Sequence, residues 1–440
     1  MIQKFLNKKY FNLIKKITDL FSIKDALWTN ILKIFSSSIL TSAISFGLSP
    51  IITRVYSTEA FGVFAVIFAA STIISELITL KYERAIILPD KTEDAYSIFW
   101  LSAILSALFS IILLIPLFLF KNKILQLHES LNSEILIFIP FLAFTIAVNT
   151  SLANLANKLK LFNQLATNRI VTSVFLNILI IAFGYLSLES LGLVVSYTMQ
   201  YVLSSLLFFI TIKKSLTFKF VKFETLKYWA LRYVSFPKYY LFSVGIESIA
   251  GNLPNFFFMK ILGPSFLGNY NLSNRIVKTP MGLIGNAMRT VFNQAVAEAH
   301  AKEKKHLKLF IQNFKRLLIL GILPVLIIVI FGPQIFSIIF GEAWKDAGEV
   351  SRYLAPVFLF QFVSSPLSVV ITVYEKINID FFIQCCTFFF LALCFFILWK
   401  VGYSNFIPYL VAYNAVYCIK YFFEFSYSYW LIKQNDYRYS

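Results

Sequence analysis

The sequence predicts an all-α integral membrane protein: twelve transmembrane helices in two six-helix bundles with a central cavity. Three observations predict it. Hydrophobic residues are 58% of the 440 positions and charged residues only 14%, where soluble chains carry roughly 25% charged residues. The apolar residues fall in blocks of the length, roughly 20 residues, that spans a bilayer. Lys and Arg gather in alternate connections between those blocks, as the positive-inside rule requires.

Residues 1–28 form a basic amphipathic N-terminal segment. Ile2, Phe5, Leu6, Tyr10, Leu13, Ile14, Ile17 and Phe21 recur at helical spacing with Lys4, Lys8, Lys9, Lys15 and Lys16 between them. Such a segment lies on the inner membrane surface. Its basic region is too long for a cleavable signal, and no small-residue cleavage site follows the first span. An N-terminal bundle over 29–212 then takes spans 30–53, 61–82, 95–120, 134–157, 165–186 and 190–212. A cytoplasmic connection covers 213–234. A C-terminal bundle over 235–432 takes spans 235–261, 266–292, 307–331, 350–374, 379–400 and 404–431, and a cytoplasmic tail covers 433–440. Pro116, Pro140, Pro254, Pro280, Pro324, Pro356 and Pro366 are expected to break several spans, which lipid tolerates where neighbours satisfy the freed backbone.

With the amino terminus inside, thirty Lys and Arg fall in inner segments and seven in outer ones. Both termini are therefore expected in the cytoplasm, with the protein multi-pass in the plasma (inner) membrane. The same asymmetry accounts for the net charge of +18 without nucleic acid. The four cysteines, Cys385, Cys386, Cys394 and Cys418, sit in late apolar segments without zinc-site spacing and read as small core residues. His128, His300 and His306 lie in polar connections. No metal site is expected.

The stretch from Leu48 to Ala95 organises the chain: an apolar segment, a short turn, a second apolar segment and a charged exit. Its turn carries Arg54, then Ser57, Thr58 and Glu59, then Phe61, Gly62 and Phe64. A similar turn recurs in FFFMKILGPSFLGNYNLSN, residues 256–274. A shift of 206 positions sets Arg54 on Lys260, Phe61 on Leu267, Gly62 on Gly268 and Phe64 on Tyr270. That is the weak internal symmetry of a chain built from two repeats.

PIITRVYS, EAFGVF and KYERAIILPDKTEDA together resemble the amino-terminal signature of the polysaccharide (O-antigen-type) flippases, within the multidrug/oligosaccharidyl-lipid/polysaccharide exporter superfamily. The likeness shows again in NLANKLKLFNQLATNRIV (154–171) and SNRIVKTPMGLIGNAMRTVFNQAVAEA (273–299). The resemblance implies a transporter working by alternating access. Its substrate would be a polyprenyl-diphosphate-linked oligosaccharide destined for surface polysaccharide such as O-antigen of lipopolysaccharide or capsule. Membrane lipid, and a polysaccharide polymerase with chain-length machinery, are the partners it implies.

No engine is encoded. The chain has no phosphate-binding P-loop, no HExxH, no Gly-x-Ser-x-Gly and no dinucleotide fingerprint. No cofactor and no catalytic residue are expected. What remains is polar residues inside spans, where a charge costs at least roughly 2.5 kcal/mol and marks a pathway or a partner. Arg275, Lys278, Gly282, Gly285 and Arg289 share one face of the eighth span. They form a basic stripe beside small residues, suited to an anionic headgroup; alternatively Lys278 or Arg275 forms an internal salt bridge with Glu247 of the seventh span. Arg suits phosphate because its planar fork donates two bonds at once.

Glu247, near Gly251, Asn252 and Asn255, and Glu76, near Thr72, Thr79 and Glu83, are the candidate coupling-ion carboxylates. Glu76 alternatively pairs with Lys81 or Arg84. Asn149 and Asn154, with Thr150 and Asn157, either bond sugars or join helices. Arg54 and Lys260, at matched outer ends, touch substrate or anchor at the interface. Two other classes fit the composition. A drug or small-cation exporter would favour carboxylates over Arg and Lys. A membrane-embedded polysaccharide polymerase or glycosyltransferase needs a sizeable outer loop, whereas the longest outer connection expected here is around 332–349.

Overall fold

The computed structural model describes residues 26–125, 130, 133–213, 221–302 and 305–438. Most of the N-terminal amphipathic segment, part of the 213–234 connection and the last two residues lie outside the described residues. Among those described, the secondary structure is helical and contains no strand. The helices are α1 (Ala26–Val55), α2 (Thr58–Ile78), α3 (Tyr82–Ala85), α4 (Thr92–Leu119), α5 (Lys121–Leu125), α6 (Ser133–Lys158), α7 (Phe162–Tyr185) and α8 (Glu189–Lys213). They continue with α9 (Phe223–Arg232), α10 (Leu241–Ala301), α11 (Leu307–Phe340), α12 (Lys345–Leu367), α13 (Val369–Val373), α14 (Ile377–Val401) and α15 (Phe406–Arg438). Among the described residues, nine segments are long and apolar enough to cross a membrane by length and composition.

Local chemistry sets the boundaries. Ser57 caps α2, its Oγ accepting the Ala60 N–H at 3.1 Å, as a helix N-cap does. Gly341 and Gly402 end α11 and α14 at φ of 104° and 85°, a region open to glycine. Polar residues sit inside apolar helices because their own turn satisfies them: Ser71, Ser151, Ser196 and Thr198 each donate to the carbonyl four residues back.

Three expectations change. Most prolines do not break their spans: α4, α6 and α11 run through Pro116, Pro140 and Pro324, whereas α12 ends at Leu367, one residue after Pro366, and α13 resumes at Val369. The seventh and eighth spans are two helices, labelled together α10, that meet at a kink at Gly263, whose φ of 83° and ψ of 173° leave the helix. The turn therefore stands where expected, but the eighth span continues past 292 to Ala301. The 332–349 connection, expected as an outer loop, is largely helical, since α11 continues to Phe340 and a 3-10 turn covers Glu342–Trp344 before α12.

The chain divides into two compact units. The first comprises Met1–Val55 and Ile67–Gly245, the second Tyr56–Val66 and Ile246–Ser440. One core of the first unit gathers Tyr82, Ile86, Ile98, Phe99, Leu152, Leu155, Phe208 and Ile212, against which Trp229, Tyr233 and Phe236 pack. Serine and asparagine bonds tie its helices: Ser102 to Ser151 at 3.0 Å, joining α4 and α6, and Asn168 to the Ser204 carbonyl at 3.0 Å, joining α7 and α8. In the second unit, Phe292, Phe310, Leu317, Phe362, Leu367, Val370 and Leu431 form a core from α10, α11, α12, α13 and α15. Phe61 of the Tyr56–Val66 stretch stands edge-on to this unit's Trp344, ring centres 5.0 Å apart.

Candidate functional site

The second unit holds a cationic cleft of about 240 Å³ between α10 and α12. Lys278, Gly282, Gly285 and Arg289 line it from α10, four residues on the one face that helical spacing predicts. Asn286 and Met281 flank them, and Phe358, Gln361, Phe362, Ser365 and Pro366 form the α12 wall. Two glycines keep that face open. A Cβ on Gly282 would meet nothing within 4 Å, and one on Gly285 would make only ordinary contact with Pro366 at 3.6 Å. The Lys278 ammonium stands 5.6 Å from the centre of the Phe358 ring, a cation–π distance. No carboxylate lines the cleft. Two cations, two amides and a hydroxyl in a low-dielectric wall suit an oxyanion, for which both charge and N–H donors are needed.

A second charged cluster lies in the same unit. Lys420 of α15 donates to Gln384 Oε1 of α14 at 3.1 Å and stands 3.7 Å from the buried Glu424 carboxylate. Its ammonium also lies over the Tyr421 ring at 5.3 Å. Lys420 is within electrostatic reach of Lys278, and Glu424 of Arg289 and Asp380. The sequence shows Lys420 as a cation inside a span, but its partners are set by how α14 and α15 pack. Glu424 was not identified from sequence. Its signal was present: a carboxylate four positions after that lysine, the spacing of a helical ion pair.

The remaining sequence candidates distribute as follows. Arg275 is half-buried on α10 but outside the cleft lining. Glu247 is exposed, and no ion pair among the described residues joins it to Arg275 or Lys278. Glu76 pairs with Lys81, the interface alternative. Lys81 itself is fully buried, against the expectation of a charged exit, and stands 3.5 Å from the buried Glu83. Flanking carboxylates let this ammonium leave water.

Asn149 donates to Ser204 Oγ at 2.6 Å and Asn154 to the Glu83 carbonyl at 3.0 Å, so both join helices. Asn154 also lines a smaller cleft with Ser37, Asn157 and Arg169. Arg54 donates to the Pro50 carbonyl at 2.9 Å, and Lys260 lies over the Trp399 ring at 5.0 Å. Among the described residues, no group of three or more His, Cys, Asp or Glu is placed to hold a metal ion.

The nine long apolar segments among the described residues, with a carboxylate-free cationic cleft in the second unit, define a polytopic membrane protein. Its fold is that of the MOP superfamily transporters. The lipid II flippase MurJ in an inward closed conformation superposes with a TM-score of 0.64 at 15% identity, over 92% of this chain and 90% of that one. A MOP superfamily transporter from Pyrococcus furiosus, described as having a binding pocket of reverse polarity, superposes at 0.62 and 13% identity over 92% and 96%. A Vibrio cholerae MATE transporter does so at 0.59 and 14% over 94% and 97%. No curated protein matches the chain in sequence. The family described as polysaccharide biosynthesis protein matches residues 51–349. The chain belongs to that family.

Proposed function

We propose that the protein is a flippase. It moves a polyprenyl-diphosphate-linked oligosaccharide from the cytoplasmic to the outer leaflet of the plasma (inner) membrane, by alternating access, for assembly of a surface polysaccharide such as O-antigen or capsule. With the two arms of α10 and with α15 crossing beside the nine apolar segments, the chain makes twelve crossings and both termini lie in the cytoplasm. The observation that carries this reading is the cleft lined by Lys278 and Arg289 without a carboxylate. It is suited to a diphosphate, whose transfer through bare lipid is prohibitive. An organic-cation exporter would need the opposite polarity there. Membership of the polysaccharide biosynthesis protein family and the shared fold with a lipid II flippase support the same reading. The polyprenyl tail remains in the bilayer while the headgroup crosses, and a polymerase takes the delivered unit.

The test is made on cells lacking the protein, by mass spectrometry of extracted lipids. Complete oligosaccharide units should accumulate on polyprenyl diphosphate, unpolymerised and shielded from an external glycosidase, while surface polymer is lost. Normal surface polymer with no accumulated intermediate would refute the flippase.

A further inference from the structure

The geometry points to a second ligand site, in the first unit: a cleft between α7 and α8 that binds a neutral sugar. The inference rests on the proposed saccharide-bearing substrate, of which this cleft would hold an uncharged part. The cleft measures about 190 Å³. Asn163, Gln164, Thr167 and Asn168 line it from α7, on one face by their spacing, and Phe208 and Thr211 line it from α8. No lining residue is charged. An ion entering would shed its water without a counter-charge, so the cleft favours a neutral ligand. Amide side chains carry donors and an acceptor together, and hydroxyls do both. That pairing matches a molecule whose surface is mostly hydroxyl groups. Phe208 adds the apolar surface on which the C–H face of a sugar ring can rest.

Asn168 turns the cleft into a site. It is 5% exposed. Its Nδ2 donates to the Ser204 carbonyl at 3.0 Å, and Ser204 Oγ in turn accepts from Asn149 at 2.6 Å. The amide is thereby fixed in place. Its Oδ1 is buried and accepts no hydrogen bond among the described residues, whereas buried polar atoms are normally paired. A ligand hydroxyl would complete it. Thr211 behaves in the same sense: its hydroxyl donates to the Leu207 carbonyl at 2.8 Å, which leaves the oxygen to accept. The cationic cleft of the second unit has the complementary chemistry, charged where this one is neutral.

The experiment uses the full chain in nanodiscs. Saturation-transfer NMR is recorded with the methyl glycosides of glucose, galactose and N-acetylglucosamine, and phosphorus line broadening with inorganic pyrophosphate. At least one glycoside should receive saturation. The transfer should fall about fivefold or more in Asn168→Leu and in the Gln164→Ala/Thr167→Val double variant, and stay unchanged in Lys278→Ala. The double variant changes an exposed and a half-buried position, so it tests the site even where Asn168→Leu does not fold. Pyrophosphate broadening should show the converse pattern. Absence of transfer to all three glycosides, or transfer that survives in the double variant, would overturn the site. Failure of the flippase reading is distinguishable, because it shows in the lipids of the null cells. Glycoside binding without accumulated lipid intermediates would keep the sugar site and remove the flippase.

Discussion

Thr58 Oγ1 and Ser265 Oγ lie 2.8 Å apart although 207 positions separate them in sequence. Thr58 opens α2, and Ser265 follows the Gly263 break in α10. The shift of 206 that relates the two turns sets Thr58 on Pro264 and Gly62 on Gly268. The contacts obey the same exchange. A Cβ on Gly62 would fall 1.8 Å from the Pro264 carbonyl oxygen, and a Cβ on Gly268 would fall 1.9 Å from the Thr58 carbonyl oxygen. The two similar turns thus meet each other, backbone against backbone, as small residues permit between membrane helices.

Both obstructing atoms are backbone, so a side chain at either glycine must push the segments apart. Gly62→Ala and Gly268→Ala should each destabilise by about 1–3 kcal/mol or more, read as a lowered thermal midpoint in detergent. In a background without the four native cysteines, Thr58→Cys with Ser265→Cys should form a disulfide under mild oxidation. Adding Gly62→Leu should abolish it. A cross-link that persists in the Gly62→Leu background would show that the turns do not need the close approach.

The cationic cleft makes a graded prediction. Gly282 faces open space, so Gly282→Ala should export normally, whereas Gly282→Phe should fill the cleft and stop export with protein level unchanged. Lys278→Ala and Arg289→Ala should each reduce export about tenfold, which corresponds to about 1.4 kcal/mol of lost anion binding. Arg275→Ala should have the smaller effect, because Arg275 stands outside the lining. Surface polymer measured against membrane-fraction immunoblots decides each case. Normal export by Gly282→Phe would remove the cleft from the substrate path.

How much of this was legible varies by residue. The Gly263 turn could be read because Gly-Pro has few other uses inside an apolar run. The Lys278–Arg289 face could be read because helical spacing is local. Which way Glu247 faces could not be read, since position along a span says nothing about how a helix face turns. The Lys420–Gln384 bond depends on how α14 and α15 pack, and no spacing rule within one helix contains that. Lys81 reads in sequence as an exit charge, yet α2 and α3 on either side of it each bring a carboxylate to its ammonium. Its left-handed backbone, φ 64°, turns the chain so that Glu76 and Glu83 converge on one ammonium.

That convergence predicts an asymmetry between two carboxylates. Glu83 is 3% exposed and Glu76 is 40% exposed, and both face the fully buried Lys81. Lys81→Met keeps volume but strands Glu83 as a buried charge, at a cost of about 3–5 kcal/mol. Adding Glu83→Gln should recover most of the loss. Glu76→Gln should cost under about 1 kcal/mol, since an exposed partner is well solvated. Thermal midpoints of the four proteins test this. If Lys81→Met alone unfolds at the wild-type midpoint, the buried pairing carries no stability.

Asp436, near the end of α15, caps a helix 130 positions earlier. Its carboxylate accepts the backbone N–H of His306 at 3.1 Å and of Leu307 at 2.9 Å, the first donors of α11. These N–H groups have no partner within their own helix, and the positive end of the helix dipole favours an anion there. His306 is locked in the same place, with its Nδ1 3.4 Å from the carboxylate and its Nε2 2.7 Å from the Tyr374 hydroxyl. Asp436→Ala should therefore destabilise by about 2 kcal/mol, the upper end for loss of a cap. Asp436→Asn, which keeps an acceptor oxygen but no charge, should lose about half of that. Tyr374→Phe, which leaves the cap intact, should lose less still. Hydrogen exchange of the first turn of α11 separates a capping effect from a general one. In Asp436→Ala those amides should exchange faster while the amides of α14 do not. Equal acceleration in both helices would mean that Asp436 holds the unit together by some other contact.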